Sequence, residues 1–414
     1  MNLSPAKSDN RACLGCGNVL PSPFLDLGLM PGANSFITPG ERRSEPRHPL
    51  AVACCHDCCL VQLTDLVAPE DLFTEYLYLS SFSETFLKHA ESMAVDMTAR
   101  FGLDNDSFVV EIASNDGYLL QHFLAGGIPV LGVEPAKNIA DIAIERGIPT
   151  LSEFFSSEIA EKIQEEHGPA DVVIGNNVLA HVPTVNDFLS GTFSALKPSG
   201  VAIFEFPYLV NFLESTQFDT VYHEHVFYYS LSAITKLAER AGLEVFDAQR
   251  FPVHGGSLRV FIQKPGGRAI STALDRLLSA EQEANITSPV PYEDFAHRVL
   301  KIKDELVSLL KNLKGKGNRI AAYGAPAKGN TLLNYCAIGQ DIIDFTVDRS
   351  PHKQGLLTPG MNIPISPPER LMDEMPDYTL ILPWNLADEI IEQQAAYREK
   401  GGKFIIPIPS TRVI

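Results

Sequence analysis

Cysteine is the residue whose spacing carries the most chemistry in this chain. Six of the seven cysteines fall at positions 13, 16, 54, 55, 58 and 59, and Cys336 stands far from them. Cys13-Leu-Gly-Cys16 and Cys55-His-Asp-Cys58 form two knuckles with the spacing of tetrahedral thiolate sites, so zinc is the expected ion. Cys13, Cys16, Cys55 and Cys58 are the expected ligands, because only the 55/58 pair repeats the gap of the first knuckle. Pairings 54/58 and 55/59 remain open alternatives. A closed set of four thiolates leaves no position for substrate, so the ion's role is structural.

A second cluster is built for proton transfer. Tyr222-His223-Glu224-His225 is the densest group of acid and base side chains in the sequence. An imidazole titrates near neutral pH and is a natural general base there. In an extended segment at most one of His223 and His225 would face the substrate, with Tyr222 and Glu224 on the other face. His181, in Leu179-Ala180-His181-Val182, follows an apolar run and can face the same crevice.

A third group reads as a cofactor pocket. Glu111-Ile-Ala113-Ser-Asn115-Asp116-Gly117 follows an apolar run and precedes a helical pattern, the layout of a nucleotide-binding first turn. Compared with the acidic-x-Gly-x-Gly-x-Gly turn of S-adenosylmethionine enzymes, Glu111 takes the acidic place, Ala113 and Asn115 replace two glycines, and Gly117 remains. Glu134 ends the next apolar run, placed to accept hydrogen bonds from ribose hydroxyls. Asn176 and Asn177 end the third. The first turn lacks the glycines and the cation that a pyrophosphate wants, which favours S-adenosylmethionine over NAD. Arg259, in a Gly-rich turn leading to a strand, is an expected anion contact. Tyr323-Gly-Ala-Pro-Ala-Lys328-Gly-Asn330 is a strand-turn-helix junction whose amides and Lys328 suit a pyrophosphate. Asp348 and Lys353 follow the next strand, where a nucleoside could lie.

These groups need elements to hold them. Residues 1–75 are expected to be a loop-rich metal module. The run 76–265 opens with an amphipathic helix between Ser80 and Phe101 and continues with strand–helix alternation: strands at 108–112, 129–133, 171–174, 201–206, 243–248 and 258–263. That alternation predicts an open, mostly parallel sheet covered on both faces. A helical connector at 266–316 leads to a smaller α/β unit at 317–414. Lys plus Arg number 33 and Asp plus Glu 51, a net charge of −18 that argues against nucleic acid and anionic membrane as partners. No apolar run reaches the ~18 residues of a membrane span, and a cytoplasmic location without a signal peptide is expected.

Taken in order, the Cys knuckles ending Cys58-Cys59-Leu-Val-Gln-Leu63, Glu111–Gly117, Asn177-Val-Leu-Ala-His181-Val182, Tyr222–His225, His254–Ser257 and Tyr323–Gly329 resemble the sugar-nucleotide C-methyltransferases. The resemblance spans nearly the whole chain. It implies an α/β architecture: an N-terminal zinc-binding module, a class I Rossmann-like methyltransferase domain and a smaller C-terminal Rossmann-like domain. It also implies S-adenosylmethionine-dependent methylation at C-3 of a dTDP-4-keto-deoxysugar. By the same resemblance His225 is the base and Tyr222 assists proton removal or meets the keto oxygen, while Glu224, His181 and Tyr76 support the pocket. Two other readings compete: a small-molecule O-methyltransferase on the same fold, and a non-catalytic zinc scaffold. The sequence leaves the oligomeric state open and is compatible with a monomer.

Overall fold

A computed structural model of the chain describes residues 11–40, 45–68, 81 and 84–414. The N-terminal module is not simply loops. Strands β1 (Leu25–Pro31), β2 (Arg47–Cys54) and β3 (Val61–Leu63) pair antiparallel in that order. In β1, Leu25, Leu27 and Met30 are buried while Asp26 and Leu29 face out, a near-alternation that suits a half-covered strand. The composition of this segment suggests loops because Gly and Pro interrupt each run, and β1 indeed carries an irregularity between Asp26 and Leu29.

The central unit begins with helix α1 (Glu84–Phe101) and strand β4 (Val109–Ile112). It continues through α2 (Leu120–Ala125), β5 (Val130–Val133), α3 (Lys137–Glu145), β6 (Thr150–Leu151), α4 (Ser157–His167) and β7 (Ala170–Asn176). Next come α5 (Val185–Ala195), β8 (Leu196–Pro207), α6 (Leu209–Glu214), β9 (Phe227–Tyr228) and α7 (Leu231–Arg240). Strands β10 (Glu244–Phe251) and β11 (Ser257–Gln263) complete it. Seven of these strands form one sheet in the order β10-β11-β8-β7-β4-β5-β6. Only β11 runs against its neighbours. The central strands are mostly apolar, as burial on both faces requires, with Glu111 of β4 and Glu205 of β8 as buried exceptions. Strand order reverses at β4, so the crevice beyond the carboxyl ends of β4 and β7 is where such a sheet binds its ligand. Strand β9 leaves this unit to pair with β3, stitching the metal module to the segment that carries Tyr222–His225.

Two helices follow, α8 (Thr272–Glu283) and α9 (Val290–Gly315). The buried Phe295, Val299, Ile302, Leu306, Leu310 and Leu313 of α9 recur at three and four residues, one stripe of a long helix. Phe295 stacks on Phe212 of α6 at 4.6 Å and meets Phe24 of the metal module edge-on at 6.1 Å, so α9 touches both other units. The C-terminal unit then forms with β12 (Ile320–Tyr323), α10 (Ala327–Cys336), β13 (Thr346–Val347), β14 (Ile365–Ser366), β15 (Tyr378–Ile381), β16 (Lys403–Ile406) and β17 (Arg412–Val413). Its sheet runs β14-β13-β12-β15-β16-β17, parallel except for β17. Among the described residues no helix is long and apolar enough to cross a membrane.

Candidate active site

The metal ligands expected from spacing come together. The four sulfurs of Cys13, Cys16, Cys55 and Cys58 lie within 4.8 Å of one another. Cys13 and Cys58 approach to 3.5 Å, as do Cys16 and Cys55. A tetrahedron with Zn–S bonds near 2.3 Å has edges of about 3.8 Å, so the donor set has the size and chemistry for zinc. The Cys59 backbone has φ +63°, turning the chain out of the second knuckle, and its thiol receives the Lys236 ammonium at 3.4 Å instead of joining the cluster. The Cys54 thiol donates to the Cys55 carbonyl at 3.8 Å.

The turn after β4 keeps the shape of a glycine-rich loop with few glycines. Ala113, Asn115 and Gly117 all have positive φ (+55°, +50° and +78°), at the three places where the S-adenosylmethionine turn carries Gly. Left-handed backbone costs a residue with a Cβ roughly 1 kcal/mol or more, and tertiary bonds hold it here. Ala113 N donates to Val133 O at 2.7 Å, and Asn115 N donates to Glu134 Oε2 at 3.0 Å. At Gly117 the positive φ is joined by crowding, since a Cβ there would lie 2.1 Å from Ile148 Cδ1 and push that side chain aside. Glu134 also accepts from Ala136 N at 2.9 Å. Burial pushes the Glu134 carboxyl up, against those two bonds. Glu111 is fully buried, which drives its carboxyl well above the usual range, with the Tyr118 phenol beside it. Apart from the Tyr118 phenol beside Glu111, no partner among the described residues satisfies the Glu111 oxygens, Ser114 Oγ, Asp116 Oδ1 or Asn176 Oδ1. Unsatisfied buried polar atoms gathered at one strand edge fit a polar ligand such as S-adenosylmethionine. Asp116 is otherwise taken by Ser81 and by Arg146 at 2.9 Å. Asn177, at φ +54°, donates its N–H to Glu205 O at 2.7 Å where the chain leaves β7.

The Tyr222–His225 segment is a turn and not a strand, closed by His225 N donating to Tyr222 O at 2.9 Å. The alternation expected for an extended segment is therefore corrected: three residues along a tight turn lie on one side, and Tyr222 and His225 meet. The Tyr222 hydroxyl and His225 Nε2 are 2.7 Å apart. His225 Nδ1 lies 3.1 Å from the Thr220 carbonyl, which can only accept, so Nδ1 carries the proton and Nε2 is the basic nitrogen. The His181 ring meets the His225 ring at 4.8 Å. Burial first, then His181 and Lys328, hold His225 well below the ordinary imidazole value. Burial likewise lowers His181 to about 4, against the Glu224 carbonyl. Both imidazoles are thus neutral at pH 7, the form a base needs. His223 points away, 2% exposed against His48 of β2. Glu224 is 7% exposed and receives Asn34 of the metal module. Tyr76 lies outside the described residues.

The C-terminal unit closes on the same turn. Lys328, at the start of α10, bonds Asn385 and sits 5.0 Å from the centre of the Trp384 ring, near enough for its charge to act on both His225 and Asp219. Trp384 Nε1 donates to Asp219 Oδ2 at 2.7 Å. Asp348 accepts from the Ala325 and Ser350 amides, and Lys353 donates to the Ala325 carbonyl. Asn330 is buried and donates to the Ala33 carbonyl at 2.7 Å, so its amide docks the metal module. Arg259 is a correction. It lies opposite Glu205 in the β11–β8 register, 1% exposed, with its guanidinium on that carboxylate at 2.7 Å and over the Phe251 ring, so no open anion contact remains. Asn34, Thr220, Asp219 and Trp384 are parts of this site that spacing misses, since each acts across a long sequence separation. Glu205, an acid inside the apolar run 201–206, was a legible signal.

Three family models match the chain. A putative zinc binding domain covers residues 13–73, a methyltransferase domain 86–248, and a C-methyltransferase C-terminal domain 252–409. The chain is 36% identical over 404 residues to the C-methyltransferase NovU of Streptomyces niveus, covering 97% of this chain and 96% of that one. A Ubiquinone biosynthesis O-methyltransferase of Bartonella tribocorum is 30% identical over 94 residues, 22% of this chain and 38% of that protein. Among solved structures, the magnesium protoporphyrin IX methyltransferase of Synechocystis with bound S-adenosylmethionine shares 15% identity at a TM-score of 0.33, covering 43% of this chain and 79% of that one. Zinc-binding module, methyltransferase sheet and C-terminal unit thus occur here in one order, and the chain belongs to the C-methyltransferase family.

Proposed function

We propose that this S-adenosylmethionine-dependent C-methyltransferase acts at C-3 of a dTDP-linked 4-keto-deoxysugar, with the Tyr222–His225 pair as its base. The observation that carries the reading is the 2.7 Å contact between the Tyr222 hydroxyl and the free-electron-pair nitrogen of His225. A carbon next to a ketone is acidified, and a neutral, water-poor imidazole can take its proton. The proton passes to His225 Nε2 directly or through the Tyr222 oxygen, which gives up its own proton to Nε2 as it gains the substrate's. The Thr220 carbonyl holds the Nδ1–H throughout, so the ring keeps its orientation and the imidazolium its partner. Electrons from the C–H bond move into the ketone and leave an enolate, whose oxygen needs a nearby donor or cation. Lys328, whose charge acts on His225, suits either that oxygen or the diphosphate of the substrate. When bound, S-adenosylmethionine supplies the electrophilic methyl that the enolate carbon takes up. Glu111, Ala113, Asn115, Asp116, Gly117, Glu134, Asn176 and Asn177 would hold this cofactor. Lys328, Asp348 and Lys353 would hold the nucleotide end.

The test is mass spectrometry of a dTDP-4-keto-6-deoxyglucose reaction and its 2-deoxy relative in deuterated water. The proposal expects a gain of one methyl on carbon, and a loss of about 10²–10⁴-fold in His225→Asn with S-adenosylmethionine still bound. Near-normal turnover in that variant would remove His225 from the base role. A methyl found on oxygen would favour the O-methyltransferase reading.

A further inference from the structure

The loop at 32–36 of the zinc-binding module reaches into the catalytic turn. Asn34 places its carboxamide nitrogen 2.9 Å from both carboxylate oxygens of Glu224, across 190 positions of sequence. The loop is held on its other side as well. The Ala33 carbonyl accepts from Asn330 of α10, and Ser35 N donates to Gly32 O at 3.1 Å. Glu224 is fixed at two points, since its main-chain carbonyl faces the His181 ring while its side chain faces Asn34. Among the described residues no Lys or Arg pairs with this carboxylate, so a neutral amide is its donor.

We propose that Asn34 is a positioning residue: its carboxamide fixes the Glu224 carboxylate, and with it the turn that carries His225 and sets the Glu224 carbonyl against His181, so the zinc-binding module completes the active site of the methyltransferase unit. The role in turnover rests on the Tyr222–His225 reading above; the contact itself does not. A carboxylate this buried needs donors to stay charged. Burial pushes Glu224 up to about 7, and the Asn34 bond pulls against that. The titratable groups around it are Tyr222, His223 and His225 on its own turn, His181 before α5, His48 of β2 across from His223, and Lys328 of α10, whose charge acts on His225. Asn34 is exposed on its outer side, so its replacement removes little packing.

The experiment is an infrared titration of the full chain with zinc bound, wild type minus Glu224→Gln, alongside the pH dependence of kcat and KM. Losing a charge-assisted bond should raise the Glu224 midpoint in Asn34→Ala by about 1–2 on the pH scale. Asn34→Asp, of the same shape but with a carboxylate, should raise it further. Turnover of Asn34→Ala should fall about tenfold at pH 7 and recover toward wild type by about pH 9, with KM for S-adenosylmethionine unchanged. In the Glu224→Gln background the Asn34→Ala change should add less than about twofold. An unmoved infrared midpoint in both variants would overturn the proposal. So would an equal, pH-independent loss in both backgrounds, which would make the contact a simple brace. If His225→Asn kept full turnover, the base assignment would fall while the infrared result still judged Asn34.

Discussion

Arg259→Met separates the structural placement of this residue from the anion contact that its sequence setting suggests. Arg259 and Glu205 face each other across β11 and β8, with 2% of each side chain exposed and nitrogen–oxygen distances of 2.7 and 2.9 Å. Burial would raise the Glu205 carboxyl, but His89 at 2.9 Å and Arg259 together bring it below its usual value. The carboxylate therefore stabilises the fold above its unfolded pKa, and that contribution is lost as the pH falls through the depressed folded value. Removing one partner of a buried pair leaves an uncompensated charge, at a cost of about 3–5 kcal/mol. His89 stays bonded to Glu205, which sets the expectation near the lower end. At about 1.4 kcal/mol per factor of ten, the slowest amides of β8 and β11 should exchange roughly 100- to 1,000-fold faster in Arg259→Met, read peptide by peptide. Adding Glu205→Leu should recover much of the loss, because two desolvated charges then vanish together. Unchanged exchange with a raised KM for the nucleotide sugar would refute this and restore Arg259 as a substrate contact.

Two further expectations follow from the same geometry. Trp384 is the single tryptophan, and its indole donates to Asp219, a carboxyl that burial raises to about 6 despite Lys328 and the indole itself. Its fluorescence should titrate near pH 6 and lose that transition in Asp219→Asn; the stability Asp219 gives is full below its unfolded pKa and falls as pH rises through 6. No transition in the wild type would break the assignment. Glu134→Gln replaces an acceptor of two main-chain amides and should weaken S-adenosylmethionine by about 10- to 100-fold in calorimetry, a charged hydrogen bond being worth about 1.5–3 kcal/mol. An unchanged affinity would take Glu134 out of the cofactor pocket.

What could be read from the sequence followed the range of the interactions involved. The strands of the parallel sheet are legible because a strand buried on both faces is a largely apolar run, and Val109–Ile112 and Val130–Val133 sit within a residue of where those runs place them. The sulfur cluster was legible because metal chemistry fixes its spacing in the chain itself. Helix α7 lies in a stretch between the strands at 201–206 and 243–248 to which no element is assigned from the sequence, although Ser230 caps it and Leu231, Ile234, Leu237 and Ala238 make a buried stripe. The two residual errors share a cause. Taking Tyr222–His225 as extended put the tyrosine and the base on opposite sides, and taking Arg259 as open ignored an acid 54 residues away. Local periodicity says which way a side chain points only once the backbone type is known, and it says nothing about which charge will meet it across a sheet. The base pair and the Glu205–Arg259 pair both arise from such long-range closures. The strand β9 that pairs with β3 is what makes the first possible: by tying residues 227–228 to the metal module, it forces the chain just before it to turn back on itself. The fold of the zinc module and the geometry of the base are thus one structural event, which is why a contact as remote as Asn34 to Glu224 can exist at all.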